Sequence, residues 1–453
     1  MSILKITSSN PNVTGYANLT VNDFEFLIHF ERCDNYEGEY GFDWMRDEYK
    51  TICEDYEKLK QEYTPVKLCG KEYFVPWLSM FQDHEKIRGK QVILKIYLEL
   101  INGEYDKNVR ITIDTKDLLI CDKSEISLGE FTIDEKTGKR YTTISLRCDK
   151  VIHENSIIEI MYYQKIVGKL NVYINEPLKL NVKIVRLLGN EEHNTYNNTY
   201  RKMFTEEGAE KIKDFLSNHS LNQALIQPVF DEKIEDFEID ITDCKDVLEV
   251  YNNGIPRYKS GIVQYLKRKY DEKYGAFKGV ICFLTPMMPS EGMESGHTLM
   301  VPQNHNTIIY AAWTDMSMPD IFPHEIGHAL GLPHPFDRSE NHGTNYEICM
   351  RNIESLDSYL NDLENISSST VRIEGKVLNR AEVINDKTKE RDEFKEKLKY
   401  YEIIINKYFF SQGSTSNFMD YNHDESKQPT YNNLDCFWKN QWDVMRKCIQ
   451  YKG

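Results

Sequence analysis

Two histidines four positions apart, His324 and His328, flank an acid, Glu325, and a third histidine, His334, follows six residues later. On a helix, that spacing puts the first two imidazoles on one face, one turn apart. Imidazole nitrogen binds Zn²⁺ readily, and a catalytic zinc site commonly combines three protein ligands with a fourth position for water. Glu325, beside the first histidine, can then reach that water rather than the metal. Gly331 comes three residues after His328, where a helix needs a residue that tolerates positive φ to end and turn back. That turn lets His334 supply a third ligand. A bare His-Glu-x-x-His arises by chance in roughly a few per cent of chains this long, and the added Gly and His lower this to roughly a few in a hundred thousand. The chemistry implied is metal-assisted hydrolysis.

The surrounding chain must supply elements that hold these residues. From about Leu180 the pattern alternates strands and helices. Leu180–Leu188 reads as a strand, and a helix follows from about Thr205 with Ala209, Ile212, Phe215 and Leu216 on one face. A strand over 224–230 precedes a helix at about 260–274, and 279–284 reads as a fully buried strand. Thr307–Trp313 is the last strand before the histidine helix. This order suits a twisted sheet packed against two long helices. A final helix carries Trp438, Trp442, Met445 and Ile449 at helical spacing. The connection from Asp337 to Gln412 is unusually long, and Phe394, Leu398, Tyr401, Ile405 and Tyr408 mark a long helix in its second half. It reads as a surface-packed helical insertion or as a lid or exosite near the cleft. His297, His305, His342 and His423 lie in polar or Gly/Asn-rich stretches and are expected on the surface, with His423 the first exception to consider.

At His324–His334 and Met419 the sequence resembles the metzincin superfamily of zinc endopeptidases, whose pattern is HExxHxxGxxH followed by a Met-turn. The resemblance implies one catalytic Zn²⁺ on His324, His328 and His334, with Glu325 as general base. It implies Met419 as the apolar floor beneath the metal. Tyr421 matches the tyrosine of the astacin-like and serralysin-like branches, which coordinates the metal at rest and swings to stabilise the tetrahedral oxyanion. Pro335 resembles the serralysin-type branch, but the chain lacks the glycine-rich calcium-binding repeats of serralysins. In this family the strand before the zinc helix forms the upper rim of the cleft and pairs with an extended substrate, so a protein or peptide in extended conformation is the expected partner.

The 453 residues suggest two to four domains. The expected fold is multidomain: an α+β N-terminal targeting or adaptor region over 1–88, an all-β immunoglobulin-like sandwich over 89–178, and an α/β metzincin-like protease domain over 179–453 with an insertion at about 338–412. In the first region, Met45, Tyr49, Ile52, Tyr56, Leu59 and Tyr63 predict a helix from about Asp43 to Tyr63. In the second, alternating runs such as Val92 to Leu100 and turns at Asn102-Gly103 and Thr137-Gly138 predict short strands. Gly41–Trp44 and Tyr73–Trp77 resemble the front modules of bacterial contractile-secretion (type VI) effectors, which implies a secretion-apparatus partner or an inhibitor or immunity partner.

A net charge of -16 argues against a nucleic-acid partner, which would need clustered Lys and Arg. No run reaches the eighteen or so apolar residues of a membrane span. The first ten residues show no signal-peptide pattern, which leaves a cytosolic protein, one exported by a signal-independent route, or a mature form whose leader has been removed. With the effector resemblance, the expectation is a bacterial protein, cytoplasmic before signal-independent export or delivery to a target cell. The ten cysteines follow no zinc-ribbon or CxxC spacing and read mostly as buried thiols, with Cys349–Cys436 a pairing open to an exported chain. The function expected is a zinc-dependent endopeptidase acting through a zinc-activated water with Glu325 as base, in the role of a secreted effector or toxin. The alternatives are a catalytically vestigial binding or adaptor protein, and a narrow processing protease with one partner substrate.

Overall fold

A computed structural model of the chain describes residues 3–7, 14–18, 24–83, 91–189, 197–198, 201–202, 204–240, 244–250, 256–259, 261–285, 287–290, 296–298, 306–310, 319–337, 340–406, 408–421 and 434–452. The protein is a mixed α/β, multi-sheet chain that divides into two compact units. One comprises Met1–Arg46 and Leu59–Glu176, and the other comprises Asp47–Lys58 and Pro177–Gly453.

The first unit holds two larger sheets around its main core, and two small hairpins, Ile3–Thr7 with Thr14–Asn18 and Val66–Leu68 with Lys71–Tyr73. In one, Ile120–Cys121, Arg140–Arg147, Val92–Asn102 and Glu25–Arg32 are neighbours in that order. In the other the order is Glu125–Ser127, Arg110–Asp114, Ser156–Tyr162, Lys165–Val172, Trp77–Ser79 and Gly41–Asp43. Alternation does the sorting: along Arg110–Asp114 only Ile111 and Ile113 are buried. Phe26, Phe42 and Leu78 share a single apolar cluster with Leu94, Ile144 and Ile160. The expected boundary at residue 88 therefore runs through a sheet, because Glu25–Arg32 pairs along its whole length with Val92–Asn102. The strands of 1–88 and 89–178 pair across a long sequence gap, which periodicity cannot show.

The helix expected from Asp43 to Tyr63 is not continuous. Short turns form at Tyr49–Ile52, Tyr56–Leu59 and Lys60–Tyr63. Cys53 is extended, with φ -104° and ψ 118°, because its backbone is bridged to Phe410. That bridge belongs to the second unit.

The second unit is built on a mixed sheet. Its elements in chain order are β1 (Leu178–Gly189), α1 (Glu206–Phe215), β2 (Ile226–Phe230), β3 (Glu235–Ile239), α2 (Ile262–Tyr274), β4 (Val280–Thr285), β5 (Gly296–Thr298) and β6 (Asn306–Tyr310). There follow α3 (Ile321–Ala329), α4 (Glu340–Glu364), β7 (Thr370–Ile373), β8 (Lys376–Asn379), α5 (Arg380–Asn406) and α6 (Lys439–Lys452). The strand order is β2-β1-β4-β6-β5, with β3 following β2 along the same side of β1. All these pairs are parallel except β5–β6.

All six residues of β4 are buried, as expected of a strand covered on both faces. Ile281 and Phe283 pack with Val263, Leu266 and Tyr270 of α2. Between them, Cys282 points the other way, where burial and the nearby Glu325 carboxylate push its thiol pKa up. Helix α3 therefore lies across the opposite face, and every residue from Phe322 to Ala329 is buried. Pro323 falls in its first turn, where a missing N–H removes no intrahelical bond.

The long connection is a helical hairpin. α4 and α5, about 38 and 40 Å long at 1.5 Å per residue, pack on each other, and β7–β8 forms a hairpin joining them. A small cluster of Leu363, Val371 and Val383 fixes that end. All ten cysteines are unpaired by disulfides, Cys349 and Cys436 included, and six are buried. Among the described residues no helix is long and apolar enough to cross a membrane.

Candidate metal centre

Helix α3 presents His324 and His328 from one face, with their ring centroids 4.7 Å apart. It ends in a Schellman motif: the Leu332 N–H donates to the Gly327 carbonyl and the Gly331 N–H to the His328 carbonyl, both at 2.9 Å. Gly331 has φ 93°, a conformation that costs a residue with a Cβ. The reversal brings His334 back to the helix. The Nε2 atoms of His324 and His334 each lie 3.1 Å from Nε2 of His328.

The other ring nitrogens explain why these atoms face one another. His324 Nδ1 donates to the Phe418 carbonyl and His328 Nδ1 to the Leu332 carbonyl, both at 2.7 Å. A carbonyl can only accept, so each Nδ1 carries a hydrogen. Burial, followed by the neighbouring His324 and His334 rings, pushes the His328 pKa well below its ordinary value. His328 is therefore neutral, and its Nε2 is a bare lone pair. Behind His334, Asp337 accepts from the His334 N–H at 3.0 Å and sets its other oxygen 3.4 Å from Nδ1. A carboxylate behind a ligating imidazole fixes the ring and raises its basicity.

The donor set fits a metal ion. Three histidines each offer one atom, all within 4.8 Å of one another. Lone pairs 3.1 Å apart repel unless a cation lies among them. Zinc–nitrogen distances of about 2.0–2.1 Å with near-tetrahedral angles put ligand nitrogens about 3.3 Å apart. Two of the three pairs, His328 with His324 and with His334, lie close to that spacing.

A turn from Gly413 to Tyr421 forms the other wall. Asn417 and Gln441 exchange side-chain hydrogen bonds at 2.7 and 3.1 Å, and the Asn417 oxygen also accepts the Met419 N–H. Met419 is fully buried against α3. A Cβ built on Gly327 would lie 2.5 Å from its sulfur, so only glycine admits this contact. The Tyr421 hydroxyl reaches His334 Nε2 at 2.9 Å, and its ring lies 4.9 Å from both His334 and Phe336.

Glu325 is only 5 % exposed. It lies beneath β5, whose Thr298 hydroxyl donates to its Oε2 at 2.5 Å. The structure thus brings together His324, Glu325, His328, His334, Met419 and Tyr421. One expectation is corrected, and one is sharpened: His297 is half-exposed on β5, close enough for its charge to disfavour protonation of His328. Strand β6 is not an open rim, because β4 pairs with it on one side and β5 on the other. β5 is the last strand on this side of the sheet among the described residues, with β2 and β3 at the opposite side. His305, His423 and 311–313 lie outside the described residues, as does the side chain of His342. Asp337 and β5 were missed by the sequence reading. Only the acid three residues after His334 left a local signal.

No protein-family model and no curated protein matches the chain. A solved structure of a chaperone–substrate complex is similar at a TM-score of 0.26 and 9 % identity, covering 69 % of this chain. The matched part spans 39 % of that structure's chain, and a likeness at this level carries no argument about fold or function.

Proposed function

We propose that the second unit is a metzincin-like zinc endopeptidase, with His324, His328 and His334 holding one Zn²⁺ and Glu325 acting as general base. The observation that carries this reading is the convergence of three imidazole nitrogens beside a buried carboxylate. Bound there, zinc would supply Lewis acidity toward a scissile carbonyl and lower the pKa of water to about 7.

The residues of the chain do the rest. The Glu325 carboxylate takes a proton from the attacking water as the new C–O bond forms, and hands it to the leaving amine as the C–N bond breaks. The Tyr421 hydroxyl leaves His334 to donate a hydrogen bond to the developing oxyanion. Met419 fills the floor below the three rings and keeps it dry. One observation favours the narrower reading, a processing protease with a single partner substrate: Glu325 is almost completely buried, with Gly296 and Thr298 of β5 packed against its carboxylate.

Metal analysis of the purified full chain, combined with cleavage of an unfolded protein, tests the proposal. One zinc per chain is expected, with cleavage abolished by a chelator and restored by zinc. Glu325→Ala keeps the metal and loses at least about a hundredfold in rate, the contribution ordinary for a general base. No bound metal, or cleavage undiminished in Glu325→Ala, overturns it. A single cut in a co-purified protein without general proteolysis supports the processing reading.

A further inference from the structure

The short strand β5 turns one face toward a single side chain. Gly296 and Thr298 are two residues apart and so share a face. Both meet Glu325. The Thr298 hydroxyl lies 2.5 Å from Glu325 Oε2 and 3.3 Å from the Glu325 carbonyl oxygen. A hydroxyl has one proton, and the shorter distance assigns it to the carboxylate. At Gly296, a Cβ would lie 2.5 Å from Oε1 and 2.6 Å from Cδ and Cγ. One residue thus tethers one carboxylate oxygen, and the other leaves the space that the carboxylate fills.

We infer that Thr298 is a positioning residue for the general base, and that Gly296 is required for the carboxylate to occupy its place. The inference rests on the endopeptidase reading for its catalytic meaning, though the contact itself does not. A carboxylate on a helix has several rotamers, and a base must be held within hydrogen-bond reach of the proton it takes. Only 5 % of Glu325 is exposed, so water cannot substitute freely for the hydroxyl. Thr298 has no place in the ligand set, so its loss leaves the three histidines intact. Sequence offered no sign of this, because the contact joins residues on two elements.

A mutant cycle tests it in the full chain. Thr298→Val removes the hydroxyl at nearly constant volume and should lower kcat about ten- to a hundredfold with KM changed less than about threefold, the loss of one charge-assisted hydrogen bond. Thr298→Ser should restore kcat to within about threefold. In a Glu325→Ala background, Thr298→Val should cost nothing further. Gly296→Ala should lower kcat as well, with zinc content unchanged. A second readout needs no activity: Thr298→Val should lower the urea midpoint, and by less once Glu325 is Ala. Full kcat in Thr298→Val, failed rescue by Ser, or additive losses in both readouts overturn the inference. An inert wild-type protein whose unfolding midpoints still couple these two residues would sink the endopeptidase reading and leave the tether standing.

Discussion

Asp420 shows how much a single side chain holds in place. One carboxylate oxygen accepts the Gly413 and Tyr421 N–H groups at 2.8 Å, and the other accepts the Thr415 N–H at 2.9 Å and its hydroxyl at 2.7 Å. The residue is 1 % exposed, so no water replaces a lost acceptor. Asp420→Asn turns one acceptor into a donor and leaves a buried N–H facing an NH₂. The expected cost is about 1–3 kcal/mol, read as a lower urea midpoint, with Tyr421 fluorescence or cross-linking reporting a displaced ring. An unchanged midpoint would show that the turn is held elsewhere. The histidines and Glu325 were legible in the sequence because one helix turn converts spacing into geometry. Asp420 carries no such signal. Its task is set by donors up to seven residues away across a closed turn, which no periodicity encodes. Thr298 is hidden for the same reason, because its contact with Glu325 joins two elements 27 residues apart.

At the scale of elements, the end of α3 decides whether the third histidine arrives. Gly331, at φ 93°, is the pivot, and its role follows from the sequence alone because glycine is the residue that turns a helix back at low cost. Gly331→Ala should cost about 1–2 kcal/mol for the left-handed backbone. It should also weaken metal binding, since His334 moves with the turn. Gly331→Asn should suffer less, as Asn tolerates that conformation. Metal titration against a competing chelator measures both, and equal affinity in all three proteins would exclude the pivot. The buried strand β4 and helix α2 were legible for a related reason: a continuous apolar run and a 3.6-residue stripe report burial directly. The break at Cys53 was not. Its apolar stripe is helical in spacing, but the backbone bonds of Ile52 and Glu54 go to Ser411 and Phe409 instead. Long-range pairing outweighed local propensity there.

That break matters most for the whole molecule. Residues 47–58 lie in sequence within the first unit, yet they are part of the second. The Glu54 N–H donates to the Phe409 carbonyl, the Ser411 N–H to the Ile52 carbonyl and the Phe409 N–H to the Asp55 carboxylate, all at 2.9–3.0 Å. Tyr49 is fully buried, 5.1 Å from the Phe410 ring and 6.2 Å from Trp438. Phe410 in turn donates its N–H to the Pro335 carbonyl at 2.9 Å, one residue from His334. The segment therefore clamps the chain just before the turn that carries Met419 and Tyr421. A front region serving only delivery or targeting would be dispensable to the metal centre, and residues 47–58 are the part of it that tests this. Tyr49→Ala in the full chain should cost about 3–5 kcal/mol, as for other large buried aromatics. A protein of residues 179–453 should bind zinc less tightly than the full chain and should regain affinity when a peptide of residues 47–58 is added. If that fragment matches the full chain in thermal midpoint and metal affinity, the clamp is dispensable. The site would then be a property of the C-terminal sequence alone.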